Sequence, residues 1–223
     1  MNEEKNLIVM LTYSDQTILN AKDVFEKCKN SKASMWGFKE KPLPLAQMKE
    51  LFQIMKDCDK TTVLEVVAYK EEECLAGAQM AHECNCDILM GTLFYDSVNE
   101  YCLKNHIKYM PYVGDVRQCP SVLTGNLEQM VKQTKEYLKK GAYGVDLLGY
   151  RYVGNAENLI QGFLEQIDAP VCVAGSINNQ QKLQFIKRVS PWGFTIGSAF
   201  FDHAFGDDVA EQINFVVDSM EED

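Results

Sequence analysis

The sequence predicts a single (β/α)8 barrel, the TIM-barrel class of α/β fold, with phosphate-binding turns after its seventh and eighth strands. Three observations predict it. Eight short apolar runs alternate with helical segments, each starting roughly 21 to 35 residues after the last, the size of a strand, a loop, a helix and a second loop. The runs are nearly all apolar, as strands covered by helices are. The last two, Val171–Ala174 and Trp192–Ile196, end in Gly175-Ser176 and Gly197-Ser198, so two small turns reach the same end of the sheet.

Each element follows from local pattern. Strand one is Leu7–Leu11, leading into the polar stretch Thr12-Tyr13-Ser14-Asp15, and a helix follows over Ile18–Lys29. Strand two is Ala33–Phe38; Pro42 and Pro44 mark the loop behind it, since proline disfavours helix at the preceding residue. The second helix, Leu45–Asp57, carries Leu51, Ile54 and Met55 as a buried stripe. Strand three, Thr62–Ala68, is interrupted by Glu65 and closed by Tyr69-Lys70. A helix over Glu71–His82 begins with glutamates, which the helix dipole favours.

Strand four is Ile88–Thr92, followed by a short helix over Val98–Lys104, and strand five is Tyr109–Val113. The fifth helix spans Thr124–Lys139, with Gly141 suited to its C-terminal cap. Strand six, Gly144–Leu148, contains Asp146 and leads to Gly149-Tyr150-Arg151-Tyr152; Asn155 caps a helix running to Gln166. The seventh helix covers Asn179–Arg188, a short turn covers Phe200–Asp202, and a last helix spans Asp207–Met220. An open doubly wound sheet is disfavoured by the lack of a G-x-G-x-x-G turn after strand one and of a G-x-x-x-x-G-K-[ST] loop. Without a linker or composition break, residues 1–223 read as one domain.

Composition narrows the function classes. The 223 residues are 46% hydrophobic, enough for a large core, and carry a net charge of -10. Such a surface repels nucleic acid and anionic membrane. The opening MNEEKN has no charged-then-apolar leader, and no run of 18 apolar residues occurs. Eight cysteines without a C-x-x-C pair read as free thiols of a reducing cytoplasm. Cys84 and Cys86 alone do not make a metal site, and His82, His106 and His203 show no metal-ligand spacing. No cofactor is expected, although a substrate-bound Mg²⁺ on Asp15, Glu65 or Asp146 stays open. A homodimer is the base-rate oligomeric state.

In a barrel, the strand ends build the site. Glu65 and Asp146 are carboxylates inside apolar strands, where a charge is costly unless it meets a partner, water or substrate. Both fit an acid–base pair across the mouth; a structural ion pair with Lys39, Lys70 or Arg151 is the other reading. Lys39 and Lys70 fit a Schiff-base route if their pKa values are lowered. Arg151 fits a fixed positive charge for a phosphate or carboxylate, while Asp15 and Tyr112 are further candidates for substrate contact. At the far end, Gly175 and Gly197 allow close approach to backbone N–H groups, and Ser176 and Ser198 add hydroxyl donors.

The motifs AGSI (Ala174–Ile177) and GFTIGSAFF (Gly193–Phe201) resemble those of the ribulose-phosphate-binding barrels. That superfamily includes ribulose-phosphate epimerases, indole-glycerol-phosphate synthases, N-acylmannosamine-phosphate epimerases and the decarboxylases of orotidine and keto-gulonate phosphates. The resemblance implies that Gly175, Ser176, Gly197 and Ser198 bind a phosphate. The metal-holding histidines of the ribulose-phosphate epimerases are missing, and the stretch Leu64–Lys70, LEVVAYK, lacks the decarboxylases' aspartate-x-lysine-x-x-aspartate run. The closest chemistry is that of a metal-independent epimerase. The expectation is therefore an isomerase or epimerase of a small phosphorylated sugar using Glu65 and Asp146. The alternatives are a lyase using Lys39 or Lys70, or a barrel that binds a phosphometabolite without catalysis. The same turns also hold flavin phosphate in related barrels, but this short chain leaves little room for a flavin lid.

Overall fold

The computed structural model describes residues 6–118 and 120–221. Eight parallel strands form the barrel: β1 (Asn6–Met10), β2 (Met35–Lys39), β3 (Thr61–Val66), β4 (Ile88–Gly91), β5 (Lys108–Met110), β6 (Val145–Leu147), β7 (Val171–Val173) and β8 (Gly193–Ile196). The hydrogen-bonded order runs β6-β7-β8-β1-β2-β3-β4-β5. Closure between β5 and β6 comes from a parallel bridge between Tyr112 and Asp146 and from the Asp146 N–H donating to the Pro111 carbonyl at 2.9 Å.

The strand period of two divides each strand between an inner and an outer face. Ile8 and Met10, Met35, Val63, Ile88 and Met90, Met110 and Cys172 fill the barrel's interior, with Tyr143 and Trp192 packed against them. Four of these are methionines, whose unbranched chains fill an irregular narrow space well. The outward residues, such as Leu7, Val9, Trp36, Phe38, Leu64 and Leu89, form a second and larger core against the helices.

The outer helices are α1 (Ala21–Cys28), α2 (Leu45–Asp57), α3 (Glu71–Glu83), α4 (Asp96–Lys104), α5 (Leu127–Lys139), α6 (Ala156–Leu164) and α7 (Gln180–Val189), with the short α8 (Ser198–Phe201) and the closing α9 (Val209–Glu221). Their buried faces keep helical spacing, as with Met48, Leu51, Phe52 and Met55 of α2. Asn126, Asn155 and Asn179 cap α5, α6 and α7 by accepting from the N–H three residues on.

Two small hairpins at the strand ends depart from the expected pattern. Thr12–Tyr13 pairs with Gln16–Thr17 where a plain loop was expected, because Ser14 (φ 49°) and Asp15 (φ 62°) both adopt the left-handed conformation of a tight two-residue turn. Asp115–Arg117 pairs with Val122–Thr124, so the fifth helix starts at Leu127 and not at Thr124. Cys119 lies outside the described residues; Cys28, Cys58, Cys74, Cys84, Cys86, Cys102 and Cys172 are free thiols. Among the described residues no helix is long and apolar enough to cross a membrane.

Candidate active site

A cavity of about 220 Å³ opens at the carboxyl ends of the strands. Three of its walls come from the ends of β1, β2 and β3, and a fourth from the turns after β7 and β8. Among the residues lining it are Asp15, Lys39, Glu65, Tyr112, Arg151, Gly175, Ser176, Gly197 and Ser198. Nine of the sequence-derived candidates therefore meet in one place.

Lys39 is the last residue of β2, on the inward-facing parity of Met35. Its backbone is fixed by one hydroxyl: Thr17 Oγ1 donates to the Lys39 carbonyl at 2.7 Å and accepts from the Lys39 N–H at 2.9 Å. The Lys39 ammonium lies 3.1 Å from Asp15 Oδ1 and 3.6 Å from Glu65 Oε1, with only 12% of the side chain exposed. Burial alone would depress its pKa; the Glu65 and Asp15 carboxylates more than reverse this, and the net direction is upward. Lys39 is thus a retained cation.

Asp15 is presented by the tight turn of the first hairpin. It accepts from Lys39 and, at 3.2 Å, from Arg151 Nη2. Burial would raise its pKa, but the two cations bring it below the usual aspartate value. The hairpin is tied to the far wall by the Ser14 N–H, which donates to Ser198 Oγ at 3.3 Å.

Glu65 accepts a hydrogen bond from the Tyr112 hydroxyl at 3.2 Å. The structural ion pair foreseen for Glu65 is thus present, and its acceptor sits on the cavity wall. Asp146 is different. It is fully buried and does not line the cavity, and neither carboxylate oxygen has a hydrogen-bond partner. Burial pushes its pKa well above the aspartate range, and the nearby Glu65 charge adds to this against a smaller opposing effect of Lys39. Burial thus favours the protonated form of Asp146, with Glu65 and Lys39 close enough to act on it electrostatically.

The opposite wall is backbone. Gly175 has φ +97°, a conformation that favours glycine. A side chain there would also meet Arg151 Cγ at 2.9 Å, so this glycine lets the arginine cross the turn. Ser176 follows at φ 27°. Among the described residues, the N–H groups of Gly175 and Ser176 make no hydrogen bond within the protein. Gly197 sits against the first hairpin, where any added Cβ would collide with Thr12 Oγ1.

Lys70 does not reach this cavity. It stands at the N-cap of α3, with 82% of its side chain exposed and Glu73 3.8 Å away. His203 is exposed and bonds the Asp207 carbonyl at 2.8 Å. The cavity also includes Ser121, Asn178 and Thr195, which the sequence reading passed over. Thr195 carried a signal: it is the polar residue between Phe194 and Ile196, both outward in β8. Ser121 carried none, because only the unforeseen second hairpin brings it in.

The sequence matches no family model and no curated protein. Solved structures do match. Orotidine 5'-phosphate decarboxylase from Pyrococcus horikoshii OT3 aligns with a TM-score of 0.71 and 13% identity over 97% of this chain and 100% of that one. N-(5'-phosphoribosyl)anthranilate isomerase from Pyrococcus furiosus gives 0.67 and 13% over 97% and 98%. N-acetylmannosamine-6-phosphate 2-epimerase from Clostridium perfringens gives 0.64 and 14% over 87% and 86%. At these identities the likeness shows a fold, the (β/α)8 barrel that this chain shares with proteins of several different reactions.

Proposed function

We propose that the protein is an isomerase or epimerase of a small phosphorylated sugar, its phosphate held by Gly175, Ser176, Gly197 and Ser198 with Arg151 beside them. One observation carries the reading: a buried lysine flanked by two carboxylates on the wall of a sugar-sized cavity, with the buried Asp146 carboxyl nearby. Proton transfer beside a carbonyl needs a base, an acid, and a cation where negative charge develops.

In this reading Glu65 removes the proton from the carbon next to the carbonyl. The C–H electron pair moves into the new carbon–carbon double bond, and the carbonyl electrons move onto oxygen. The Lys39 ammonium stabilises that oxygen. Glu65 then gives its proton to the neighbouring carbon while that carbon's hydroxyl proton moves to the enolate oxygen, giving the isomer; for the epimer a cavity water gives a proton to the opposite face of the same carbon. Asp146, whose burial favours the protonated form, re-protonates that water, and the proton on Glu65 passes back to Asp146 to reset the pair. Asp15 keeps Lys39 charged and aimed, and Tyr112 fixes the rotamer of Glu65. The cation between the Asp15 and Glu65 carboxylates is Lys39 itself.

The fold neighbours support the substrate class, since the solved structures named above are of enzymes whose substrates are phosphate esters. Lys39, held charged by its two carboxylates, is a poor amine nucleophile, which ranks the lyase reading second.

Proton NMR in D₂O tests the proposal. Phosphorylated aldoses and ketoses of three to six carbons are incubated with the enzyme beside their unphosphorylated counterparts. Loss of the signal of the proton next to the carbonyl, only in a phosphorylated sugar and abolished by Glu65→Gln, is the expected result. Tight binding of a phosphorylated sugar without any exchange would overturn the isomerase reading in favour of a non-catalytic binding barrel.

A further inference from the structure

The turn after β7 is held from behind by a side chain that does not touch the cavity. Lys182, in the first turn of α7, folds back so that its Nζ donates to the Ser176 carbonyl at 2.6 Å and to Asn178 Oδ1 at 3.1 Å. The same ammonium lies 4.8 Å from the ring centroid of Tyr150, in the turn that carries Arg151. A cation in the first turn of a helix opposes the helix dipole. Burial further lowers the Lys182 pKa from the ordinary lysine value. The side chain is therefore placed against two unfavourable terms, and what it gains is a grip on two cavity loops.

The consequence lies in one peptide plane. In a trans peptide the C=O and the following N–H point in opposite directions. Lys182 draws the Ser176 carbonyl towards itself; Ser176 and Ile177 line the cavity and Lys182 does not. The Ile177 N–H is thereby turned the other way. Ser176 at φ 27° is in a conformation a non-glycine residue rarely holds unaided, and the carbonyl anchor is what its surroundings supply.

We propose that Lys182 is a positioning residue for anion binding: by clamping the Ser176 carbonyl and the Tyr150 ring together, it presets the Ile177 N–H as a donor to the substrate phosphate. This rests on the phosphate reading of the glycine turns. It adds a donor, Ile177, and a distant residue that the binding depends on.

The probe is inorganic phosphate, titrated into the full chain while the Ile177 and Ser198 amides are followed by ¹⁵N-edited NMR and affinity is read by thermal shift. In the wild type both amides shift with phosphate. Lys182→Met, which keeps the aliphatic stem, should weaken phosphate affinity about tenfold and remove the Ile177 shift while the Ser198 shift persists. Lys182→Arg should restore much of both. Unchanged affinity and an unchanged Ile177 shift in Lys182→Met would overturn the proposal, even if that variant melts earlier. A wild type in which only Ser198 responds would overturn it while leaving the phosphate reading intact. If neither amide responds, both fall. Should Lys182→Met fail to fold, Tyr150→Leu gives the second reading: affinity about threefold weaker supports the clamp, and unaltered affinity refutes it.

Discussion

The barrel holds two carboxyl groups, one half-buried and one fully buried, in opposite conditions. At the amino end, Asp87 just before β4 is fully engaged. Its Oδ2 accepts from the Thr62 N–H at 2.8 Å and from the Thr62 hydroxyl at 2.7 Å, and its Oδ1 from Lys56 at 2.8 Å. These bonds outweigh its burial and lower its pKa. At the carboxyl end, Asp146 is buried deeper, has no partner on either oxygen, and has its pKa raised. A closed network of bonds fixes strands; an open one keeps a proton available. The comparison separates a carboxylate that serves the fold from one that costs the fold something, and such a cost is where function is expected.

The sharpest way to break that comparison is to replace the carboxyl groups by amides in place. Asp146→Asn and Glu65→Gln should each lower kcat by about 10²- to 10⁴-fold, the range for removing an acid–base group. Asp87→Asn should leave kcat within about twofold. Steady-state kinetics on the sugar identified by deuterium exchange reads this directly. An Asp146→Asn enzyme with wild-type kcat would return Asp146 to a structural role.

Stability should rank the two sites the other way. Asp87→Ala strips hydrogen bonds from the Thr62 N–H and hydroxyl and from Lys56, and should cost about 1–3 kcal/mol, discounted because the Asp87 side chain is 38% exposed. Urea unfolding measures it. The pH dependence gives opposite signs. Asp87 has a lowered folded pKa, so its contribution is present above the unfolded value of about 3.9 and is lost as pH falls through the folded one. The gap between wild type and Asp87→Ala should therefore close in acid. Asp146 has a raised folded pKa, so the wild type loses stability as pH climbs from about 3.9 towards it. The stability of Asp146→Asn relative to wild type should rise over that interval. Parallel pH profiles for the two variants would contradict the distinction.

Much of this contrast was legible in the sequence, and the part that was not has a physical reason. Glu65 and Asp146 stood out because strand periodicity is local: a carboxylate in an apolar run is visible without any tertiary information. The glycine turns were visible for the same reason. Asp87 was missed as a structural centre because its partners, Thr62 and Lys56, are 25 and 31 residues away and meet it only once β3, β4 and α2 are packed. The hairpin that aims Asp15 was read as a loop, since Ser-Asp is not among the strongest turn pairs and nothing local demands φ > 0 at both. Lys182 is a lysine at ordinary helical spacing; its role depends on a carbonyl six residues back and on a ring from another loop.

The two lysines test the same lesson, and Lys70 carries the smallest expected effect. In the sequence Lys39 and Lys70 were equivalent, each just beyond an apolar run. In the fold Lys39 is still within β2, on the parity of Met35, and so must point into the barrel. Lys70 follows β3 by four residues, beyond the reach of strand alternation, and caps α3 from the outside. Lys39→Met should abolish exchange. Lys70→Ala should leave both kcat and KM unaltered and move stability by no more than about 0.5 kcal/mol. Its backbone carbonyl, which accepts from the Cys74 N–H at 2.9 Å, survives the substitution. An acylating amine reagent should modify Lys70 quickly and Lys39 slowly, because the buried ammonium is sequestered and held protonated by its two carboxylates. Loss of activity in Lys70→Ala, with Lys39→Met active, would mean that the chemistry lies outside the cavity walled by Asp15, Lys39 and Glu65.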